Sequence, residues 1–162
     1  CMVNDIAGGE RDKNMYDVVA AYKVPYVLMH MRGTPQDMIH QTEYQDLLLD
    51  LMKYFAEKLQ VLRSQGISDI IIDPGFGFAK NIDQNFQLLK NLSYFNVLRC
   101  PILVGISRKS MIYKTLGQRA DDALNGTTVL NTLALLNQAS ILRVHDVKEA
   151  VECVKIFKRY NF

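Results

Sequence analysis

The sequence predicts an α/β fold of parallel strands, and three observations carry this prediction. Five apolar runs of strand length alternate with five stretches of helix length. The runs lack polar alternation, as expected for parallel strands covered on both faces. Polar side chains follow each run, at the strand ends where parallel α/β folds place their ligands.

The size of the repeating unit predicts a barrel. Five units in 162 residues correspond to about 32 residues each, so eight would give about 260, close to the roughly 250 of a (β/α)₈ barrel. The chain opens at the end of a strand. We therefore expect a truncated TIM barrel with about five βα units, a single domain over 1–162 that lacks three N-terminal units. A doubly wound open sheet is the competing architecture, because five parallel strands can stand alone between helices.

The first two units are short. Residues 1–6 form the end of a strand and pass into a Gly-Gly turn, after which a helix is predicted over about 13–22. The apolar run 24–29 predicts the second strand. A polar loop around Pro35 follows it, as proline and small polar residues indicate.

The third unit contains the segment around which the site is organised. Leucine and phenylalanine at helical spacing predict a helix over 43–64, and Gly66 is its stop signal. The β-branched run 70–72 then changes at Asp73 into a turn, because the following proline and glycines cannot continue a strand. A carboxylate is therefore predicted at the rim of the sheet.

The last two units repeat this pattern. A helix is predicted around 86–92, a buried strand over 101–106 and a second long helix over 120–139. The last strand is predicted over 141–146, and a final helix has one apolar face between 147 and 157.

The composition is that of an ordinary globular protein and argues against several classes. Nineteen basic and seventeen acidic residues give a net charge of +2, and they form no basic block, which argues against a nucleic-acid partner. No apolar run approaches the roughly 18 to 20 residues that span a bilayer, and no signal-peptide pattern opens the chain. A cytoplasmic protein without a membrane partner is the expectation.

The cysteines and histidines do not predict a metal site. Cys1, Cys100 and Cys153 lie far apart without a Cys-x-x-Cys spacing, so we expect them to be reduced. His30 and His40 have no metal-ligand spacing with a carboxylate or a cysteine. No protein metal site is assigned.

Five polar side chains at four strand ends are predicted to share one face. They are Asn4, Asp73, Lys109, Arg143 and His145. An amide, a carboxylate and an ammonium suit a flat heterocycle with a mixed hydrogen-bonding edge. A guanidinium two residues from an imidazole suits phosphate oxygens. A site for a heterocycle and an anion is favoured, although Asn4 could serve only its turn, Lys109 could be surface and His145 could cap a helix.

Five segments resemble those of dihydropteroate synthase, in the same order and at similar spacing, over essentially the whole chain. They are 4–6 (Asn-Asp-Ile), 28–31 (Leu-Met-His-Met), 73–78 (Asp-Pro-Gly-Phe-Gly-Phe), 105–110 (Gly-Ile-Ser-Arg-Lys-Ser) and 143–147 (Arg-Val-His-Asp-Val). The resemblance implies a (β/α)₈ barrel that joins p-aminobenzoate to 7,8-dihydropterin pyrophosphate. The products are dihydropteroate, for folate synthesis, and pyrophosphate, and sulfonamides are the inhibitors.

The resemblance also implies a pterin site. Asn4, Asp73 and Lys109 would hydrogen-bond the pterin, and Met29 and Gly105 would line its slot. We expect the pterin ring to lie across the ends of several strands.

The remaining roles concern the diphosphate and the second substrate. Arg143 and His145 would bind the diphosphate, and Phe78 with Ser110 would border the aminobenzoate site. Lys109, Arg143 and His145 are the predicted catalytic groups, because preorganised cations stabilise the negative charge that grows on a leaving diphosphate. Mg²⁺ bound to the substrate diphosphate would act in the same way.

The family pattern includes three further upstream units, which carry an Asn for the metal and diphosphate, an Asp for the pterin and two mobile loops. We expect these units to be missing, so that the chain is weakly active or inactive alone, and we expect a homodimer through helices of this half of the barrel. One alternative is a pterin-binding methyltransferase domain, which would have no use for an Arg143 and His145 clamp. A non-catalytic partner chain is the other.

Overall fold

A computed structural model describes residues 1–33 and 38–161 of the chain. In these ranges the strands are Val3–Asp5 (β1), Tyr26–Met29 (β2), Ile70–Asp73 (β3), Leu103–Val104 (β4) and Ile141–Leu142 (β5). The α-helices are Met15–Tyr22 (α1), Leu47–Ser64 (α2), Ile82–Lys90 (α3), Ser110–Tyr113 (α4), Leu124–Leu136 (α5) and Val147–Asn161 (α6). Short 3₁₀ helices cover Met38–His40, Leu92–Leu98 and Ala120–Asp122. The loop predicted around Pro35 lies outside the described residues.

The strands are parallel, and their spatial order follows the chain order. β1 pairs with β2, β2 with β3, and β4 with β5. A bridge between Ile72 and Ile102 connects the two sheets. A doubly wound sheet would reverse its strand order at a switch point. The sequential order is instead that of a barrel wall.

β2 and β3 are buried on both faces, which explains their continuous apolar runs. Alternate residues of a strand point to opposite faces. Tyr26, Leu28 and Ile72 pack in the main core with the helices. A second, smaller cluster occupies the other face and consists of Val27, Ile71 and Leu103, with Ile141 packed against it.

The register places the predicted site residues on this second face. Asn4 pairs with Val27, and Met29 pairs with Asp73. Because side chains alternate along a strand, Met29 and Asp73 share the face of Val27 and Ile71. Asn4 and Asp73 therefore lie near the carboxyl ends of their strands, at one end of the interior face of the barrel wall.

The helix ends follow local caps more closely than periodicity. α2 begins at Leu47 instead of the predicted residue 43, because the Asp46 side chain accepts a hydrogen bond from Leu49 N. Asn81 and Gln84 form a capping box that starts α3. α5 covers 124–136 of the predicted 120–139, since a 3₁₀ turn precedes it and Gln138 adopts a positive φ of 71° after it.

Both late strands are shorter than predicted. β4 covers two residues of the predicted 101–106, and β5 covers two of 141–146. The ladder ends where Arg143 N donates to Val104 O, and Lys109 N then closes a turn on Ile106 O. After β4 the chain leaves the ladder, but Ile106 still packs in the main core. None of the helices in the described ranges is long and apolar enough to cross a membrane.

Candidate active site

Asp73 is a buried carboxylate in which one oxygen lacks a hydrogen bond. Its exposed fraction is 1%, and Oδ1 accepts a hydrogen bond of 2.9 Å from Gly75 N. Arg143 Nη2 lies 3.2 Å from Oδ2, but the two are not aligned for a hydrogen bond, so Oδ2 has no hydrogen-bond partner among the described residues. Burial raises the pKa of Asp73, although Gly75 N and Arg143 oppose this. The site therefore presents a buried acceptor that suits an N–H donor of a ligand.

Arg143 connects three strand ends. Its Nη1 donates to Asn4 Oδ1 over 3.2 Å, and Nη2 faces Asp73. The guanidinium lies directly against Gly105, where an added Cβ would approach Nη2 to 2.7 Å. The absence of a side chain at Gly105 therefore allows the cation to reach the carboxylate.

Lys109 lies between the turn after β3 and the start of α4. Its Nζ donates to Phe76 O and lies 4.7 Å from the centre of the Phe78 ring. Burial lowers the pKa of Lys109 to about 8, although Asp73 favours the charged form. This ammonium is thus held in a partly desolvated position, where its interaction with an anion is strengthened.

His145 is oriented by a serine that sequence reasoning missed. Buried Ser107 Oγ lies 2.9 Å from His145 Nδ1 and accepts a 3.2 Å hydrogen bond from His145 N. A cavity of about 150 Å³ is lined by Gly105, Ser107, Lys109, Arg143, Val144 and His145. An ammonium, a guanidinium and an imidazole around one small cavity can hold an anion.

An ion pair connects the loops after β4 and β5. Arg108 donates from Nε and Nη2 to the two carboxylate oxygens of Asp146, each over 2.9 Å. It also donates to the carbonyls of Ala120 and Asp121. Hydrogen bonding from Arg108 lowers the pKa of Asp146. Arg108 could be read as solvated surface from the sequence, yet it fixes the neighbours of Lys109 and His145.

Two further predicted residues lie on the other side of Lys109. Ser110 begins α4 and lines a larger cavity of about 490 Å³ with Gly77 and Lys114. The Phe78 ring is partly exposed beside Lys109. The structure therefore places Phe78 and Ser110 next to the anion cavity but not in it.

Met29 and Lys80 are both buried beneath the site. Met29 is inaccessible at the end of β2, and its carbonyl accepts a 3.0 Å hydrogen bond from Tyr54. Lys80 is buried behind the turn after β3, where burial lowers its pKa to about 7. Sequence reasoning missed Lys80, because a lone lysine after a glycine-rich turn is usually exposed.

The donor set of the anion cavity is cationic and does not resemble a metal site. Hard cations such as Mg²⁺ take oxygen ligands, but the polar side chains here are chiefly those of Lys109, Arg143 and His145. Across ranges 1–33 and 38–161, no group of three or more His, Cys, Asp or Glu could hold a metal ion. The cavity fits an anion, and a metal would have to come with that anion.

Comparisons with known proteins agree with this geometry. Residues 1–145 match the family model described as pterin binding enzyme. The chain is 42% identical over 157 residues to a bifunctional dihydropteroate synthase/dihydropteroate reductase of Helicobacter pylori, covering 97% of this chain and 41% of that protein. The chain spans about half the length of the curated relatives it matches.

Solved structures show the same fold. A Yersinia pestis dihydropteroate synthase in complex with a sulfonamide drug superposes with a TM-score of 0.95 at 36% identity, covering 99% of this chain and 59% of that one. A Thermus thermophilus dihydropteroate synthase in complex with 6HMPPP gives a TM-score of 0.93 at 29% identity, over 99% and 64% of the two chains. The predicted TIM-barrel class is confirmed.

Proposed function

The chain belongs to the pterin-binding enzyme family, and from this we propose that it provides the pterin and diphosphate site of a dihydropteroate synthase. The reaction would condense p-aminobenzoate with 7,8-dihydropterin pyrophosphate to give dihydropteroate and pyrophosphate. Relatives that are 36 to 42% identical carry the dihydropteroate synthase name. Because the chain spans only part of their length, the complete reaction is part of this proposal.

The observation that carries this proposal is Asp73 Oδ2, which faces Arg143 but has no hydrogen-bond partner among the described residues. A buried carboxylate oxygen is costly unless it accepts a hydrogen bond, and Asp73 is 1% exposed. The ring N–H and amino groups of a pterin are donors that could satisfy it. Asn4 and Lys109 would contribute an amide and an ammonium to the same ring. Gly105 would line its slot, and Met29, which is fully buried, would lie beneath it.

The cations supply the chemistry at the leaving group. As the amine of p-aminobenzoate forms its bond to the pterin methylene carbon, the carbon–oxygen bond breaks and its electron pair leaves with the diphosphate. Arg143, His145 and Lys109 would bind that diphosphate and stabilise its growing charge. The amine then loses a proton, and the enzyme mainly needs to position it.

Mg²⁺ would enter as part of the substrate. The cationic cavity fits the diphosphate, so the ion would be held through diphosphate oxygens, and it would neutralise part of the leaving group's charge when bound. The residues of this chain would hold the diphosphate on its other oxygens. No step of the proposed reaction is assigned to a protein-bound metal.

The second substrate would lie beside Phe78 and Ser110. The Yersinia pestis neighbour is a complex with a sulfonamide drug, and we propose that sulfonamides and p-aminobenzoate compete at this part of the site. The Phe78 ring is partly exposed beside Lys109, so it could pack against an aromatic substrate. A cytoplasmic location is proposed as well, from the composition alone.

A pterin-binding methyltransferase domain and a non-catalytic partner chain are the alternatives, and a titration separates them. The ammonium, guanidinium and imidazole around the anion cavity favour a diphosphate ligand. We expect dihydropterin pyrophosphate with Mg²⁺ to bind at least about tenfold more tightly than the same pterin without its diphosphate. A preference for a methylated folate would support the methyltransferase, and failure to bind any pterin would support the partner chain.

A further inference from the structure

Lys80 is a buried lysine whose three hydrogen-bonding positions are all used. Its exposed fraction is 7%. Nζ donates to the carbonyls of Gly75 and Phe78, each over 3.1 Å, and lies 3.1 Å from His30 Nδ1. A buried ammonium is costly to desolvate, so a complete set of partners at this depth indicates a specific task.

The two carbonyls are the ends of one turn. Phe78 N donates to Gly75 O over 3.1 Å, which closes the turn formed by residues 75–78. This turn begins with the N–H that binds Asp73 and ends with the ring beside Lys109. The Lys80 ammonium therefore fixes Gly75, whose N–H binds Asp73, and also Phe78, whose ring lies beside Lys109.

His30 anchors this ammonium to the barrel wall. It directly follows β2, is 2% exposed and lies edge-on to Tyr54 with ring centroids 4.9 Å apart. The turn also rests on this residue, because a Cβ on Gly75 would collide with the carbonyl oxygen of His30. The turn is thus seated on the end of β2 by backbone packing and by the Lys80 bridge.

Lys109 holds the same turn from the opposite side. It donates to Phe76 O, the carbonyl in the middle of the turn. An ammonium has three N–H donors, so Lys109 can keep this bond while it donates to a ligand. Lys80 and Lys109 therefore hold different carbonyls of the same turn.

We propose that Lys80, anchored by His30, is a positioning residue that holds the two ends of the 75–78 turn and thereby keeps Asp73 and Lys109 in place for the ligand. Lys80 does not line the anion cavity and acts on it through this turn. Its role toward the ligand rests on the proposed function, whereas its role in holding the turn does not. Lys80 holds the ends of the turn, and Lys109 holds its middle.

Amide hydrogen exchange without ligand tests the holding role. Lys80→Met removes one hydrogen bond from each of the two carbonyls and leaves Gly75 O only its bond from Phe78 N. We therefore expect the Gly77 and Phe78 amides to exchange at least about tenfold faster than in the wild type. Amides within α2 should keep their rates. Lys90→Met, the same change at an exposed lysine of α3, is the matched control. Unchanged exchange in the turn of Lys80→Met would overturn the proposal.

Two measurements keep the test decisive. If Lys80→Met does not fold, His30→Phe takes its place, because it keeps an aromatic ring and both carbonyl bonds of Lys80 but removes Nδ1. Exchange of the amides in the 75–78 turn should then rise about threefold. No rise would again refute the holding role of Lys80. In folded variants, dihydropterin pyrophosphate should bind at least about tenfold more weakly to Lys80→Met than to Lys90→Met. If the wild type binds no pterin, the proposed function fails, but the exchange rates still test whether Lys80 holds the turn.

Discussion

The lack of a side chain at Gly105 determines where the Arg143 guanidinium lies. Gly105 has no positive φ that would require glycine, so its importance is steric: Arg143 Nη2 occupies the space next to its Cα. Residues of this kind are invisible to charge or hydropathy patterns. They can be found only when the neighbouring side chain is known.

Gly105→Ala should therefore displace the guanidinium and weaken binding of inorganic pyrophosphate by about tenfold or more, since a charge-assisted contact of this kind contributes about 1.5 to 3 kcal/mol. Calorimetric titration measures this loss. In an Arg143→Ala background the same glycine substitution should have little further effect. An equal loss in both backgrounds would show that Gly105 acts in some other way.

The lowered pKa of Lys80 predicts that the stability of the folded protein depends on pH. Its pKa falls from about 10.5 unfolded to about 7 folded. Between these values the unfolded state binds more protons, so stability rises with pH. From pH 7 to 8.5 the expected gain from this group is about 1 to 2 kcal/mol, and urea unfolding of the wild type and Lys80→Met measures it. Lys109 adds a smaller gain to both proteins. Equal pH slopes in the two proteins would contradict this assignment.

Among the elements, the two loops after β4 and β5 act as one unit. The Arg108 and Asp146 ion pair and the Ser107 and His145 hydrogen bonds each bridge 38 residues of sequence. These bridges hold Lys109 and His145 on a common cavity. The anion site therefore depends on inter-loop contacts as well as on its own cations.

Arg108→Met should lower pyrophosphate affinity by about threefold to tenfold, although Arg108 does not line the anion cavity, because the loop carrying Lys109 loses its bridge. Asp146→Leu should have a similar effect, and the double variant should be no worse than either single one. Arg119 and Asp122 form an exposed ion pair that provides the control, and Asp122→Asn should leave binding unchanged. Additive losses in the double variant would mean that the pair is not the coupling element.

Sequence patterns predicted the strand and helix order well but not all of its boundaries. The β-branched run 70–72 correctly predicted β3, because a strand buried on both faces has a continuous apolar run. The leucine spacing correctly predicted α2, because a helix buried along one face has apolar residues at helical spacing. β4 and β5 cover only two residues each, because buried residues after a strand, such as Ile106 in the main core, continue its apolar pattern without continuing its ladder. Asp73 proved to be the last residue of β3. Arg108, Ser107 and Lys80 were missed or left as surface because their partners are distant in sequence.

At the scale of the whole molecule, the described chain is an arc of barrel wall with apolar surface on its last helices. β1 and β5 are its two edge strands, and both are only partly buried, whereas β2 and β3 are fully buried. On α6, Ile156 and Tyr160 are 71% and 79% exposed. Large apolar side chains clustered on one exposed face mark a contact surface.

We propose that this α6 surface, together with α5, forms a homodimer. Ile156→Glu should shift the sedimentation coefficient from that of a dimer to that of a monomer, because a charge at the centre of an apolar interface is costly to bury. Lys158→Gln removes a charge at an exposed residue on the other side of the same helix and is expected to leave the dimer intact. A wild type that is monomeric at all concentrations would contradict this proposal.

The most direct test of the account is calorimetric titration of the chain with dihydropterin pyrophosphate and Mg²⁺, comparing the wild type with Asp73→Asn. The substitution keeps the shape of the side chain but replaces one carboxylate oxygen by an N–H donor, so binding should weaken by about a hundredfold or more. Asp69→Asn, at the exposed opposite end of β3, should bind like the wild type. Equal binding by Asp73→Asn, or none by a folded wild type, would contradict the account that this buried carboxylate recognises the pterin.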